Sequence, residues 1–358
     1  MQALAAMPRP TGKAAIAKAR ERCSQELRSL GYDVRERPFE FSAFPGQLAT
    51  PLMGGAAAII IGAAGRWGAE ERRSAPLILL ALGSVALYVT ASWLAKRGVL
   101  DAPLMRQAGV NLEATRASEQ PTLWLCAHLD SKSQPVSTLV RTAGIALVAL
   151  GYVVTLVLAL VAATGAHALS SMWSVAAIMT LAGAIPVVLS TVGSTSPGAL
   201  DNASGVVTVI AAARRLRDVV GLGVLITDAE ELGLAGARAW SRDARIATLL
   251  NCDGVDDMGG IEVMFSGKRP DELLTAVDRA ERATGIKHRA GRLIPGILTD
   301  SVAFSNAGLC SATFARGTVR SLLRVHTIRD DLAHLRGTGI AETAELMAAT
   351  ILEMRETR

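Results

Sequence analysis

The chain has 358 residues, half of them apolar, with a mean hydropathy of +0.34 and a formal net charge of only +5. That hydropathy is high for a wholly water-soluble protein, while scattered Lys and Arg with only 4% aromatics argue against a nucleic-acid partner. Four widely separated cysteines, Cys23, Cys126, Cys252 and Cys310, form no CxxC pair, which excludes a disulfide framework or a thiolate zinc site as the basis of the fold.

In chain order, the N-terminus has too short an apolar run for a secretory signal, and Arg9, Lys13, Lys18, Arg20 and Arg22 follow closely. Ala14–Leu30 carries apolar residues at helical spacing and stops at Gly31, so a helix is predicted there. Val34–Phe41 alternates like a strand. Two pairs of apolar stretches then interrupt the chain. Gln47–Ala64 and Pro76–Ala95 form the first pair, Ala143–Gly165 and Met172–Gly193 the second. Each has about 18 to 23 residues and no Lys, Arg, Asp or Glu, enough to cross roughly 30 Å of hydrocarbon. Four such runs are too many to bury in the soluble protein that remains, so they are read as transmembrane helices. Short loops at 65–75 and 166–171 make them two hairpins.

Each hairpin returns the chain to the side it left. The expected organisation is a discontinuous soluble domain of residues 1–46, 96–142 and 194–358, with hairpins at 47–95 and 143–193. Basic residues flanking the spans on the domain side (Arg35, Arg37, Lys96, Arg97, Arg106, Arg141) outnumber those in the opposite loops (Arg66, Arg72, Arg73), which places the domain in the cytoplasm. The spans hold no ionisable residue, so they are read as an anchor rather than an ion path. Oligomeric state is not legible in the sequence.

The soluble pieces alternate between strand and helix patterns. Strands are predicted at Val110–Thr115, Leu123–Ala127, Val224–Thr227, Ala247–Asn251 and Ser311–Phe314. Helices are predicted at Gly205–Leu216, Gly236–Trp240, Asp271–Thr284 and Ile340–Glu353. This is an α/β pattern with a mixed, mostly parallel central sheet flanked by helices.

Candidate chemistry lies just after the strands, where open α/β sheets build sites. Glu230-Glu231 follows an apolar strand, and two adjacent carboxylates there repel unless a divalent cation offsets them. His128-Leu-Asp130, Asp201-Asn202, Asp253 and His326 supply further ligand types in order. Alone, each has an ordinary structural explanation: an N-cap for Asp201, a turn for Asp253, a surface loop for His326. Together they indicate a metal-dependent hydrolase in which one glutamate binds metal and the other acts as general base.

The set Cys126-Ala-His-Leu-Asp-Ser131, Gly198-Ala-Leu-Asp-Asn-Ala-Ser-Gly205, Ala229-Glu-Glu-Leu-Gly-Leu-Ala-Gly236, Asn251-Cys-Asp-Gly254, Thr299-Asp-Ser-Val-Ala-Phe304 and Val325-His-Thr-Ile-Arg-Asp330 resembles the co-catalytic di-zinc exopeptidases. That family includes bacterial leucyl aminopeptidases, glutamate carboxypeptidase-like enzymes and glutaminyl cyclases. The resemblance covers the soluble pieces and neither hairpin. It implies two zinc ions bridged by Asp201, with His128 and Asp253 on one and Glu231 and His326 on the other as the expected pairing. It makes Glu230 the general base and Asp130 the partner that orients His128. Asp300 and, more weakly, Asp256 are candidate contacts for a substrate amine. Two positions depart from the family: Val325 stands where a Tyr often precedes the metal His, and Ser301 stands where a His often follows the Asp. The expected activity is a membrane-anchored zinc aminopeptidase acting on peptides. The alternatives are a carboxypeptidase, a glutaminyl-cyclase-like acyltransferase, or a metal-stabilised membrane scaffold without catalysis.

Overall fold

The computed structural model describes residues 1–116, 121–166, 170–243, 246–294 and 296–356. The chain divides into two compact units. One comprises Met1–Ser42, Met105–Ser133 and Ser194–Arg358, and the other Ala43–Leu104 and Gln134–Gly193.

The first unit is built on an eight-stranded sheet. Its strands are β1 (Asp33–Ser42), β2 (Arg106–Thr115), β3 (Leu123–His128), β4 (Leu222–Thr227), β5 (Thr248–Val255), β6 (Gly260–Phe265), β7 (His288–Arg292) and β8 (Cys310–Gly317), in the order β1-β2-β4-β3-β5-β8-β6-β7. The central strands β4, β3, β5 and β8 run parallel. β1 and β2 pair antiparallel, and β2 lies antiparallel to β4. β6 is antiparallel to β8 and parallel to β7. The sheet is mixed and mostly parallel at its centre, as the sequence predicts.

Strands buried on both faces read as continuous apolar runs. Every residue of β3 and β4 is buried, and successive side chains go to opposite faces. Leu125, Ala127, Val224 and Ile226 pack with the helices Gly205–Arg215, Asp271–Thr284 and Thr338–Glu356. Trp124, Cys126 and Leu225 pack on the other face against Ala237 and Phe304. Trp240 sits edge-on to both Trp124 and Phe304 there, with ring centroids 5.1 and 5.9 Å apart.

Two strands, β6 and β7, have no counterpart among the predicted elements. β7 is His-Arg-Ala-Gly-Arg on the sheet edge, without a single buried residue, so no apolar pattern marks it. β6 follows Gly259 and is short, with Ile261, Val263 and Phe265 facing the core.

The second unit contains four helices long and apolar enough to cross a membrane: Pro45–Ala69, Ala75–Asp101, Thr138–Ala163 and Ser170–Val188. Large side chains such as Ile59, Leu82, Tyr88, Val153 and Ile178 point outward from them. Small residues bring the helices together. A Cβ on Gly144 would lie 2.7 Å from the carbonyl oxygen of Gly183, and the reverse holds for Gly183. Only glycine permits that approach. The second helix runs on through Asp101, so this unit extends to Leu104 rather than ending at Ala95. At its other entry, Gln134 donates to the Ser190 carbonyl at 3.1 Å and accepts from Arg141 at 2.8 Å. Of the predicted hairpin loop 166–171, residues 167–169 lie outside those described.

Candidate metal centre

Parallel strands deliver their C-terminal ends to one edge of the sheet. His128 is the last residue of β3, Glu230 and Glu231 follow β4, and Asp253 lies in β5. Asp201 lies in the turn Ala199–Ser204, ahead of the helix Gly205–Arg215. His326 follows the short helix Val319–Arg324.

Two triads result. The ligand atoms of His128, Asp201 and Asp253 lie within 4.8 Å of one another, as do those of Asp201, Glu231 and His326. Asp201 belongs to both. Its Oδ1 is 3.1 Å from His128 Nε2 and its Oδ2 is 3.0 Å from His326 Nε2. Asp253 Oδ1 completes one side at 3.6 Å from His128 Nε2, and Glu231 Oε1 the other at 3.2 Å from His326 Nε2. Glu230 stands apart from both triads, its Oε2 3.9 Å from His128 Nε2.

These donors fit a divalent cation. His128 Nε2, Asp201 Oδ1 and Glu231 Oε1 are buried and make no hydrogen bond, although each faces another ligand atom at close range. Buried polar atoms are normally paired. Lone pairs converging on a shared point, misaligned for hydrogen bonding with one another, are the arrangement a cation satisfies.

The surrounding groups orient the ligands. His128 Nδ1 lies 3.2 Å from the Asp130 carbonyl and 3.5 Å from its carboxylate. The Asp130 carboxylate accepts the backbone N–H of Glu230 at 3.1 Å and of Glu231 at 3.0 Å. One residue thus sets the imidazole and both glutamates, as outer partners of metal ligands do. Asp330 accepts the N–H groups of Leu200 and Asp201 at 2.6 and 3.1 Å. Asn202, joined to Asp201 by a cis peptide, ties that turn to β5 through the Cys252 carbonyl and the Gly254 N–H. Ala229 and His326 hold φ of 57° and 63°, a left-handed backbone that costs about 1 kcal/mol or more for residues with a side chain and recurs at functional sites.

Electrostatics separate the two glutamates. Burial lifts the Glu230 carboxyl well above the ordinary range; His128 opposes this, and Glu231, Asp253 and Asp300 add to it. Burial would raise Glu231 too, but His326 and Lys132 outweigh it and draw that carboxyl down to about 2. Asp201 is held well below its usual value because His128 and His326 overcome its burial. Neighbouring carboxyls pushed apart in this way mark a division of labour between proton carrier and permanent anion.

All the predicted site residues except Asp300 and Asp256 meet at this centre. Asp300 is fully buried, and its Oδ2 accepts from the Thr227 hydroxyl at the end of β4. It offers no surface to a substrate. Asp256 is also buried and accepts from Ser321 at 2.6 Å and from Arg324. It joins the loop after β5 to the helix that precedes His326. One neighbour has no marker in the sequence: Lys132 places its ammonium 2.6 Å from Glu231 Oε2.

Residues 187–351 match Peptidase family M28. No curated protein matches the sequence. Among solved structures, the fold is similar to a zinc aminopeptidase from Bacillus subtilis, at a TM-score of 0.58 and 16% identity, covering 98% of this chain and 93% of that one. It is similar to an aminopeptidase from Aneurinibacillus sp. strain AM-1, at 0.56 and 14%, covering 98% and 91%. It is also similar to the glutaminyl cyclase of Porphyromonas gingivalis, at 0.54 and 15%, covering 100% and 95%. The family match takes in a little under half of the chain and spans the turn of Asp201, the Glu230-Glu231 pair, Asp253 and His326.

Proposed function

We propose that this chain is a membrane-anchored zinc exopeptidase that removes N-terminal residues from peptides, with two zinc ions held by His128, Asp201 and Asp253 and by Asp201, Glu231 and His326. The observation that carries this reading is the pair of largely buried triads sharing one carboxylate, with a further carboxylate, Glu230, beside them and outside both. The ions would supply Lewis acidity, polarising the scissile carbonyl and making water acidic enough to react.

The chain's own residues do the rest. Glu230, whose burial raises its affinity for a proton, takes one as the carboxylate from the attacking water and passes it to the leaving amine. Asp130 fixes the direction of Glu230 by accepting its N–H, and holds His128 in register with Asp253. Asp201 stays ionised and serves both sides of the centre. The four apolar helices anchor the protein in a bilayer, and flanking basic residues favour the peptidase unit on the cytoplasmic side.

The test is hydrolysis of an aminoacyl-amide panel by detergent-purified protein with added zinc. Wild type should cleave part of the panel, lose activity to a chelator and regain it with zinc. Glu230→Gln should keep its zinc and lose about 10²- to 10⁴-fold in kcat. Release of cyclised product from N-terminal glutaminyl peptides, without amide hydrolysis, would replace this reading with a cyclase. Zinc binding with no turnover on either substrate class would leave a scaffold.

A further inference from the structure

Arg9 is the largest fully buried side chain among the described residues, at 1% exposure, although it belongs to a segment rich in bases. Its hydrogen bonds go to carbonyl oxygens. Nε donates to Leu129 at 2.8 Å, Nη1 to Pro197 at 2.7 Å and to Leu4, and Nη2 to Gly198 at 2.8 Å. The backbone adds a reciprocal pair, Arg9 N to Ser131 Oγ at 2.9 Å and Ser131 N to the Arg9 carbonyl at 3.2 Å. Two residues on, Thr11 donates to Asp228 Oδ1 at 2.8 Å.

The carbonyls that Arg9 holds are not scattered. Leu129 lies between His128 and Asp130, while Pro197 and Gly198 lead into the turn that carries Asp201. Among the described residues no backbone–backbone hydrogen bond joins these two loops; the Ser131 hydroxyl donates to the Ser196 carbonyl at 3.3 Å, the Thr195 N–H donates to Ser133 Oγ at 2.9 Å, and the guanidinium fork adds three bonds nearer the candidate ligands. Gly198 confirms how closely they approach: it adopts φ of +61°, and a Cβ there would lie 2.5 Å from Ser131 Cβ and 3.0 Å from Arg9 Nη2. A rigid, planar group with donors on several edges suits this task, whereas a lysine ammonium is a point donor.

We infer that Arg9 is a positioning residue for the metal centre, its guanidinium setting the distance between the His128 loop and the Asp201 turn. The inference rests on the zinc-binding reading given above. Arg9 touches no ligand atom and acts through the backbone on either side of two of them.

Charge and position make opposite forecasts, which gives the test its edge. Asp130, Asp201 and Asp330 lie near Arg9, and a fixed positive charge beside a cation site weakens cation binding. If charge were all, Arg9→Met would bind zinc more tightly. If position dominates, it binds more weakly, by about 10- to 100-fold, as when outer partners of metal ligands are lost. The measurement is equilibrium dialysis of the full-length, detergent-purified protein against zinc with a competing chelator, with circular dichroism to report folding. Arg9→Lys keeps the charge but cannot span the three loop carbonyls; it should also weaken zinc binding, and it decides the matter if Arg9→Met does not fold. Thr11→Val unties the same segment from Asp228 without touching either loop, and should keep zinc affinity within about two-fold of wild type, since the bond it removes lies outside both loops.

Weakened zinc binding in folded Arg9→Met or Arg9→Lys, with Thr11→Val unchanged, supports the inference. Unchanged or tighter binding in both Arg9 variants overturns it, as does equal weakening in Thr11→Val, which would assign the effect to docking of the whole segment. A wild type that binds no zinc overturns the functional reading first, and this inference with it.

Discussion

Asp201 presents one oxygen to each imidazole, so the centre's two halves cannot be altered independently through it. Asp201→Asn should reduce bound zinc to well under one per chain. His326→Ala and Asp253→Asn each remove a ligand from one triad only, and should retain about one zinc with weakened affinity. Metal analysis of purified, dialysed variants checks this; equal zinc content in all three would refute a shared carboxylate. Gly198→Ala tests the backbone at the same place. Its Cβ would enter a space closed by Ser131 and the Asp201 carbonyl, 2.5 and 2.6 Å away, on a left-handed backbone. It should lower both the melting temperature and zinc affinity, by about 1 kcal/mol or more in stability. The candidate ligand residues could be read from sequence because ligand chemistry restricts residue type and the fold puts several of them at strand ends. Arg9 and Lys132 could not. Nothing local distinguishes a buried arginine from a solvated one, and the carbonyls and carboxylate that satisfy them come from residues far along the chain or across a turn.

Among the elements, the final helix Thr338–Glu356 shows how a distant loop completes a terminus. Asp257 accepts the N–H of Gly337 and Gly339 at 3.1 and 2.9 Å, that of Arg336, and the Thr338 hydroxyl at 2.8 Å. An anion there answers the unpaired donors and the positive end of the helix dipole. Burial pushes the Asp257 carboxyl up, but these donors outweigh it and hold it at about 2, below the ordinary 3.8. A depressed folded value means the stabilisation is complete above about pH 4 and is lost as pH falls through 3.8 towards 2. Asp257→Ala should therefore destabilise by about 1 kcal/mol at pH 7, and the gap to wild type should narrow by pH 3. Thermal melts at the two pH values measure this; a gap that widens in acid would contradict it. Helices and central strands were legible because they bury apolar faces of definite period, and Asp271–Thr284 matches its predicted bounds. β7 was not, since an edge strand of His, Arg, Ala and Gly is held by pairing with β6 rather than by its side chains. The short helices Asp300–Asn306 and Val319–Arg324 are too brief to show a period at all.

For the whole molecule, the four apolar helices predict that the protein sediments with membranes and resists extraction by salt or alkaline carbonate, entering solution only with detergent. Release by carbonate alone would show that these helices do not span a bilayer. The hairpins also split the sheet in sequence. β1 and β2 are partners, yet the whole first hairpin is made between them. β3 finds its neighbours β4 and β5 only after the second hairpin has been passed, and the centre itself draws on residues from His128 to His326. Non-local pairings of this kind form late. A growing chain therefore makes both apolar hairpins before β3 meets its neighbours, and the two triads cannot be complete until His326 has been made. For the proposed peptidase, latency during synthesis, which many proteases obtain from a removable pro-segment, then follows from the order in which the strands are encoded.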